Sequence, residues 1–381
     1  MRHRGLWAWL TAAIGAAALV GSGCTTPAAE HPASPQWRDG RFHNPQPLWS
    51  DGLGAWRQWL REPARAGQLP TAPPPVAKPD LAVAPASGLR LTWFGHSSAL
   101  LEIDGATVLI DPLWSERASP VAWVGPRLWY APPLAPQALR EVDVVLISHD
   151  HADHLDAGAI TAMRDWRNVF VVPLGVGARL AAWGIGQARI VELDWWQSTR
   201  VGALNITATP SRHGSGRLAT HGDRSLWAGF ALRGPRHGVW YSGDTGFHDQ
   251  LAAIGERLGP FDLTLIEAGQ YDAHWPDTHL GPELAVEAHR LVRGGAMVPV
   301  HWGLVSLAPH GWTEPVERVR AAARCAGVRL LTPRPGQSIE PSEVADTPAW
   351  WPDLPWRHAA DYPVTATRRG NPDERIGAPR C

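Results

Sequence analysis

The stretch Ser148-His149-Asp150-His151-Ala152-Asp153-His154-Leu155-Asp156 decides how this chain is read. Three histidines and two aspartates fall between His149 and His154, directly after the apolar run Val144-Val145-Leu146-Ile147. A run so rich in β-branched residues reads as a strand buried on both faces. The histidines then stand on the loop at its carboxyl end, where a rigid scaffold can gather several side chains around one point. His149 and His151 are two apart, so an extended backbone points both the same way. Asp153 and His154 follow as the chain turns towards a helix, for which Asp156 could be the N-cap. A lone histidine is usually structural. Four metal-capable side chains in one loop have no packing rationale, and imidazole with carboxylate suits zinc or a similar divalent metal.

Working outward, residues 91–94 and 99–103 read as strands joined by Gly95-His96-Ser97-Ser98. Asp104-Gly105 marks a two-residue hairpin into strand 107–110, which ends at Asp111-Pro112. His96 and Asp111 lie at strand ends, as groups that orient metal ligands do, and equally as plain turn residues do. Residues 114–136 form a long loop of the functional or mobile kind. After the histidine cluster, helices 157–166 and 177–183 alternate with strands 169–172 and 189–193. Strands 204–209, 225–232 and 239–242 follow. Then come helix 249–258, strand 263–266, helix 282–292, strand 297–300 and helix 314–326. Two sets of strands, each with helices, predict an α/β sandwich with ligands at one edge of the sheets. His213, Asp244 and His301 each stand at the carboxyl end of a predicted strand. With His149, His151, Asp153 and His154 they make seven ligands, enough for two metals sharing one carboxylate.

Composition sets the bounds. The chain has 381 residues, 44% hydrophobic and 19% charged, as in a globular protein. A net charge of −1 offers no basic field, which argues against nucleic acid as a partner and against a nuclease. Most of the 22 tryptophans belong in a core, although tryptophan also suits surfaces that are part apolar and part wet. Residues 1–23 read as an export signal: Arg2-His3-Arg4, then an apolar stretch from Leu6 to Val20 too short to span a bilayer comfortably, then Gly21-Ser22-Gly23 before Cys24. This is similar to a bacterial lipoprotein signal. It implies a lipidated Cys24 that anchors the protein to a membrane surface of the cell envelope, on the periplasmic side. Residues 24–85 are a tether and N-terminal segment rich in proline and alanine: 25–29 read as the tether, 70–75 as an extended linker or lid edge, and 55–61 between them as a short helix. The hydrolase body spans 86–340, and 341–381 form a tail with proline and tryptophan. Cys325 and Cys381 could pair in an oxidising compartment.

Longer stretches carry a specific resemblance. They are Thr92-Trp93-Phe94-Gly95-His96, Asp111 to Pro120, Glu192-Leu193-Asp194-Trp195-Trp196, Thr209 to His213, Gly243 to Phe247, Gly259 to Leu263, His279 to Ala285 and His301-Trp302-Gly303. With the histidine loop, they make residues 40–335 resemble the metallo-β-lactamase superfamily. Within it, they resemble the N-acyl-phosphatidylethanolamine-hydrolysing phospholipase D family. The resemblance implies a four-layer αβ/βα sandwich and two zinc ions. His149, His151 and His213 would hold one zinc, Asp153, His154 and His301 the other, and Asp244 would bridge them. It further implies a catalytic part for Asp153, Asp244 and His279, the last near the scissile phosphate. A water shared by two such zincs has its pKa lowered to about 7 or below and can attack phosphorus. The chain departs from eukaryotic members around Gln270 to Trp275 and after His213, which bears on substrate choice. A lactonase or β-lactamase-like carbonyl hydrolase is the alternative enzyme, although lactamases generally lack a bridging aspartate such as Asp244. An envelope scaffold with a vestigial site is the non-enzymatic alternative, against which stands the completeness of the seven ligands.

Overall fold

The computed structural model describes residues 30–61, 67–139, 141–217 and 222–378. The export signal, Cys24 and Cys381 lie outside them. Two seven-stranded sheets make the body. In the first the strands lie in the order Ser338–Ile339, Leu89–Gly95, Ser98–Ile103, Ala106–Ile110, Val144–Leu146, Val169–Pro173, Ile190–Leu193. Pairing is antiparallel up to Ala106–Ile110 and parallel beyond it. In the second the order is Arg329–Leu330, Gly294–Val300, Phe261–Glu267, Gly238–Tyr241, Gly229–Arg233, Leu204–Thr209, Ser198–Val201. Here the first four strands are parallel and the rest antiparallel.

The layers follow from which side chains each strand turns inward. Val144 and Leu146 join a core that also holds Ile206, Phe230, Val239, Leu263 and Val298, so the two sheets pack face to face. Val145 and Ile147 point the other way, into a second core with Ala159, Ile160 and Leu180 of helices Ala157–Ala162 and Gly177–Ala182. The period of two therefore feeds two cores from one strand, and that is why the run is apolar throughout. On the far face of the second sheet a third core holds Ile254, Leu284 and Val319 from helices Gln250–Leu258, Gly281–Leu291 and Glu314–Ala326. The result is a four-layer αβ/βα sandwich, as the sequence implied.

Three expectations change. Strand 225–232 is observed as Gly229–Arg233. Leu226 and Trp227 are buried, but Leu226 donates its N–H to Leu174 O and Ala228 to Ser148 O, so this apolar run ties the second sheet to the metal loop as a loop, not a strand. Helix 157–166 ends at Ala162, with Met163 capping it. Part of the N-terminal segment, set apart from the hydrolase body in the sequence reading, is built into that body. Phe42 is buried, and Asn44 accepts from His213 N–H (2.8 Å) and donates to His213 O (2.6 Å). The tail likewise packs inward, with Trp351 in the main core and Trp350 stacked on Trp302. Cys325 is disulfide-bonded, and the expectation that it pairs with Cys381 falls outside the described residues. Among the described residues no helix is long and apolar enough to cross a membrane.

Candidate metal centre

The carboxyl ends of strands from both sheets meet at one edge of the sandwich. Three imidazole nitrogens converge there first: His149 Nε2 and His213 Nε2 lie 2.9 and 3.2 Å from His151 Nδ1. A second group gathers around Asp153 Oδ2, with His154 Nε2 at 3.3 Å, His301 Nε2 at 3.5 Å and His96 Nε2 at 2.8 Å. Asp244 stands between the two. Its Oδ2 is 3.8 and 3.7 Å from Nε2 of His149 and His213, and 3.1 and 3.2 Å from Nε2 of His154 and His301. The seven residues singled out in the sequence are therefore brought together, with Asp244 in the shared place. His279 joins the same cluster beside His213 and Asp244, its ring 5.1 Å from that of His213.

The donor set fits a cation. His154 Nε2, His301 Nε2 and Asp244 Oδ1 are buried without a hydrogen-bond partner. A buried polar atom in that state costs about 1–3 kcal/mol. Three such atoms in one cluster, together with three converging imidazole nitrogens, call for a positive charge that accepts lone pairs. The orienting contacts agree. Asp111 Oδ2 holds His154 Nδ1 at 2.7 Å, and Thr278 O holds His213 Nδ1 at 2.8 Å, so both rings turn Nε2 to the centre. Asp111 also accepts from Ser148 N–H (2.8 Å), Ser148 Oγ (2.5 Å) and Tyr241 Oη (2.5 Å). Of the two readings of Asp111, the structure selects the orienting one.

The loop itself is braced from outside. Arg217 donates to the carbonyls of Asp150 and Leu155, and Asp150 accepts from Gly216 N–H (2.6 Å) and Arg179 (2.8 Å). Asp156 caps helix Ala157–Ala162 through Gly158 N–H and holds Trp114, Ser115 and the long loop, so its part is structural. Gly243 has φ +58°, and a Cβ there would meet Ala228 O at 2.6 Å, so only glycine lets Asp244 enter at this angle.

Charges in the metal-free site split into two kinds. Burial pushes His149, His213 and, less strongly, His151 below the usual histidine range, and lowers His96 to about 4. Burial also works against a charge on His154 and His301, but Asp244 and Asp153 outweigh it. They lift His154 well above the ordinary value and His301 to about 9. Burial would raise Asp153 and Asp244, yet the facing histidines hold both well below the carboxylate range. One half of the site is neutral imidazole, and the other is an ion-paired cluster.

Residues 106–302 match the family described as the beta-lactamase superfamily domain. The chain belongs to the metallo-β-lactamase superfamily. An uncharacterised protein of Mycobacterium tuberculosis (strain H37Rv) is 45% identical over 352 residues, covering 90% of this chain and 94% of that protein. An N-acyl-phosphatidylethanolamine-hydrolysing phospholipase D of Caenorhabditis elegans is 36% identical over 240 residues, covering 60% of this chain and 67% of that protein. In fold, the chain is similar to the metallo hydrolase Igni18 of Ignicoccus hospitalis, with a TM-score of 0.52 at 23% identity over 66% of this chain and 97% of that one. The protein is thus a metal-dependent hydrolase of this superfamily, resembling the N-acyl-phosphatidylethanolamine-hydrolysing phospholipases D.

In this metallo-β-lactamase fold the histidine and aspartate cluster floors a cleft of about 340 Å³ walled by Leu48, Trp275 and Leu307, with Gln270, Thr278 and His279 beside them. A larger groove, of about 1090 Å³, runs between helices Gly281–Leu291 and Glu314–Ala326 and the C-terminal segment, away from the histidine cluster. The chemistry belongs to the smaller cleft, where the ligand atoms are. Sequence reasoning missed Glu267, Leu48 and Leu307. Glu267 ends the strand Phe261–Glu267, so the rule that found His213, Asp244 and His301 would also have found it. Leu48 and Leu307 reach the cleft only through tertiary folding and left no signal. His96 Nε2 meets Asp153 Oδ2 at 2.8 Å, the distance at which an orienting residue holds a ligand, and it lies in one group with Asp153, His154 and His301.

Proposed function

We propose that this protein is a zinc-dependent phosphodiesterase of the phospholipase D type, acting on N-acyl-phosphatidylethanolamine or a related phospholipid at the cell envelope. The observation that carries the reading is the site itself: two His/Asp half-sites sharing Asp244, opening into a cleft with apolar walls at Leu48, Trp275 and Leu307. The likeness to the Caenorhabditis elegans enzyme supports the choice of lipid. His149, His151 and His213 would hold one zinc, Asp153, His154 and His301 the other, with Asp244 held in common. Bound there, the ions supply Lewis acidity towards the phosphoryl oxygens and lower the pKa of water. The protein's own part is to hold the diester over this floor and keep acyl chains along the apolar wall. His279, outside the seven and lining the cleft, would pass a proton to the departing headgroup. The lipid-anchored Cys24 would bring the cleft to its membrane-borne substrate.

The test is zinc-loaded protein incubated with a mixed panel of phospholipids in oxygen-18 water, read by lipid mass spectrometry. Phosphatidic acid carrying the label, released with an N-acylethanolamine, is expected, and His279→Ala should slow turnover by roughly 10²–10⁴-fold with both metals retained. A chain that opens lactones or β-lactams while leaving every phospholipid intact would overturn the assignment.

A further inference from the structure

The carboxyl end of the strand Phe261–Glu267 carries a carboxylate that the seven-residue set does not use. Glu267 is completely buried. Its backbone N–H donates to Ser242 Oγ at 3.0 Å, and its Oε1 accepts from the N–H of Leu280, the residue after His279. Its Oε2 has no hydrogen-bond partner. Facing that oxygen are Nδ1 of His279 at 3.6 Å and Nδ1 of His301 at 3.7 Å, and both of these nitrogens are themselves buried without a partner. The two rings are stacked, with centroids 5.0 Å apart and planes at 20°, so both present the same edge to one oxygen. Two orphaned nitrogens thus lie within a few tenths of an ångström of hydrogen-bonding distance of one orphaned oxygen, and burial makes closing those gaps favourable. An imidazole whose Nδ1 faces a carboxylate keeps its proton on Nδ1 and leaves Nε2 free to bind or exchange.

We propose that Glu267 is a positioning residue shared by His301 and His279, whose Oε2 fixes both rings with the proton on Nδ1 and Nε2 turned to the cleft. For His301 this presents Nε2 beside Asp153 and Asp244, as observed. For His279 it restricts proton traffic to Nε2, on the side of the ring away from Glu267. By gripping Leu280 N–H as well, Glu267 fixes the backbone that carries His279. The proposal rests on the reading of His301 as a metal-holding residue and is independent of which substrate the enzyme takes.

The first measurement uses the unaltered full chain, zinc-loaded and labelled with nitrogen-15 histidine, with His279→Ala and His301→Ala spectra for assignment. Long-range proton–nitrogen correlations should show the proton on Nδ1 of both His279 and His301. A proton on Nε2 of His279, or His301 bound to metal through Nδ1, overturns the proposal. The second measurement is chelator competition on Glu267→Gln, whose amide cannot accept from both rings while keeping its bond to Leu280. A tenfold to hundredfold loss of affinity for one of two zincs is expected. Folded variant that binds both zincs as tightly as wild type overturns the proposal, and if the variant fails to fold the spectrum of the wild type decides alone. Wild-type protein that takes up no zinc would overturn the metal reading, and the proposal with it. Neither measurement involves a lipid, so failure of the phospholipase assignment is a separate result.

Discussion

The ion pair between Arg212 and Asp277 joins parts of the chain that lie far apart in sequence, and breaking it should be costly. Both side chains are fully buried, with Arg212 Nη2 2.8 Å from Asp277 Oδ2. Asp277 also accepts from Trp49 N–H (2.7 Å), Thr367 N–H (2.6 Å) and Thr367 Oγ1 (2.5 Å). Arg212 donates in addition to carbonyls of Phe247 (3.1 Å), Thr367 (3.0 Å) and Pro47. Replacing Asp277 by alanine leaves a buried guanidinium without its counter-charge, which alone costs about 3–5 kcal/mol. Two backbone N–H groups are orphaned as well, at about 1–3 kcal/mol each before relaxation. Trp49 is only half-buried, so its freed N–H can find solvent and the two contributions will not add in full; a loss of about 4–6 kcal/mol is expected. Guanidinium denaturation of Asp277→Ala, Arg212→Met and the double variant would measure it as a cycle. The double variant should be more stable than Asp277→Ala alone, since no unpaired charge remains. Amide exchange should lose protection at Trp49 and Thr367 first. Because Thr278 O holds His213 Nδ1, zinc affinity at the His149, His151 and His213 half-site should fall in parallel. A cost below about 1 kcal/mol, or a double variant no more stable than Asp277→Ala, would refute the reasoning.

Further predictions concern the site and the N-terminus. Asp111→Asn keeps the shape of the side chain but loses the carboxylate that receives His154 Nδ1, so zinc affinity should drop by about 10–100-fold, most at the His154 half-site; chelator titration measures it. Metal binding should be linked to protons unevenly. His301, with a pKa lifted to about 9, and His154, also lifted, carry protons at pH 7 in the metal-free protein, whereas burial keeps His149 and His213 neutral. Calorimetry in buffers of different ionisation enthalpy should therefore find about two protons released at one half-site and close to none at the other. The apparent affinity of the first should rise with pH through about 9, where His301 gives up its proton. In the metal-free protein the same raised pKa of His301 stabilises the fold below pH 6.5, and that gain is lost as pH rises through about 9. Finally, Cys24→Ser should release the protein from the membrane fraction or leave it unprocessed, and intact mass of cell-derived protein starting at Met1 without lipid would contradict export and anchoring.

How much of this was legible beforehand depends on the range of the interactions involved. The seven ligand candidates could be read because each stands at or just after an apolar strand, and strand ends are local features of a sequence. The sandwich could be read because alternating runs such as Val144 to Ile147 announce two buried faces at once. The loop Ser225 to Ala228 was misread for the same reason: it is apolar because it is buried, but its N–H groups bond across to Leu174 and Ser148 instead of to a neighbouring strand. Sequence period reports burial, not which backbone supplies the hydrogen bonds. The tertiary structure alone placed Asn44 on His213, Leu48 and Leu307 at the cleft, and Arg212 against Asp277, since those partners lie far apart along the chain. It alone chose between turn and orienting roles for Asp111, a choice made by what stands opposite its oxygens. The chain by itself determined which atoms can bind a metal; folding determined which of them face one another, because convergence on a point is a property of two sheets meeting and not of any one strand.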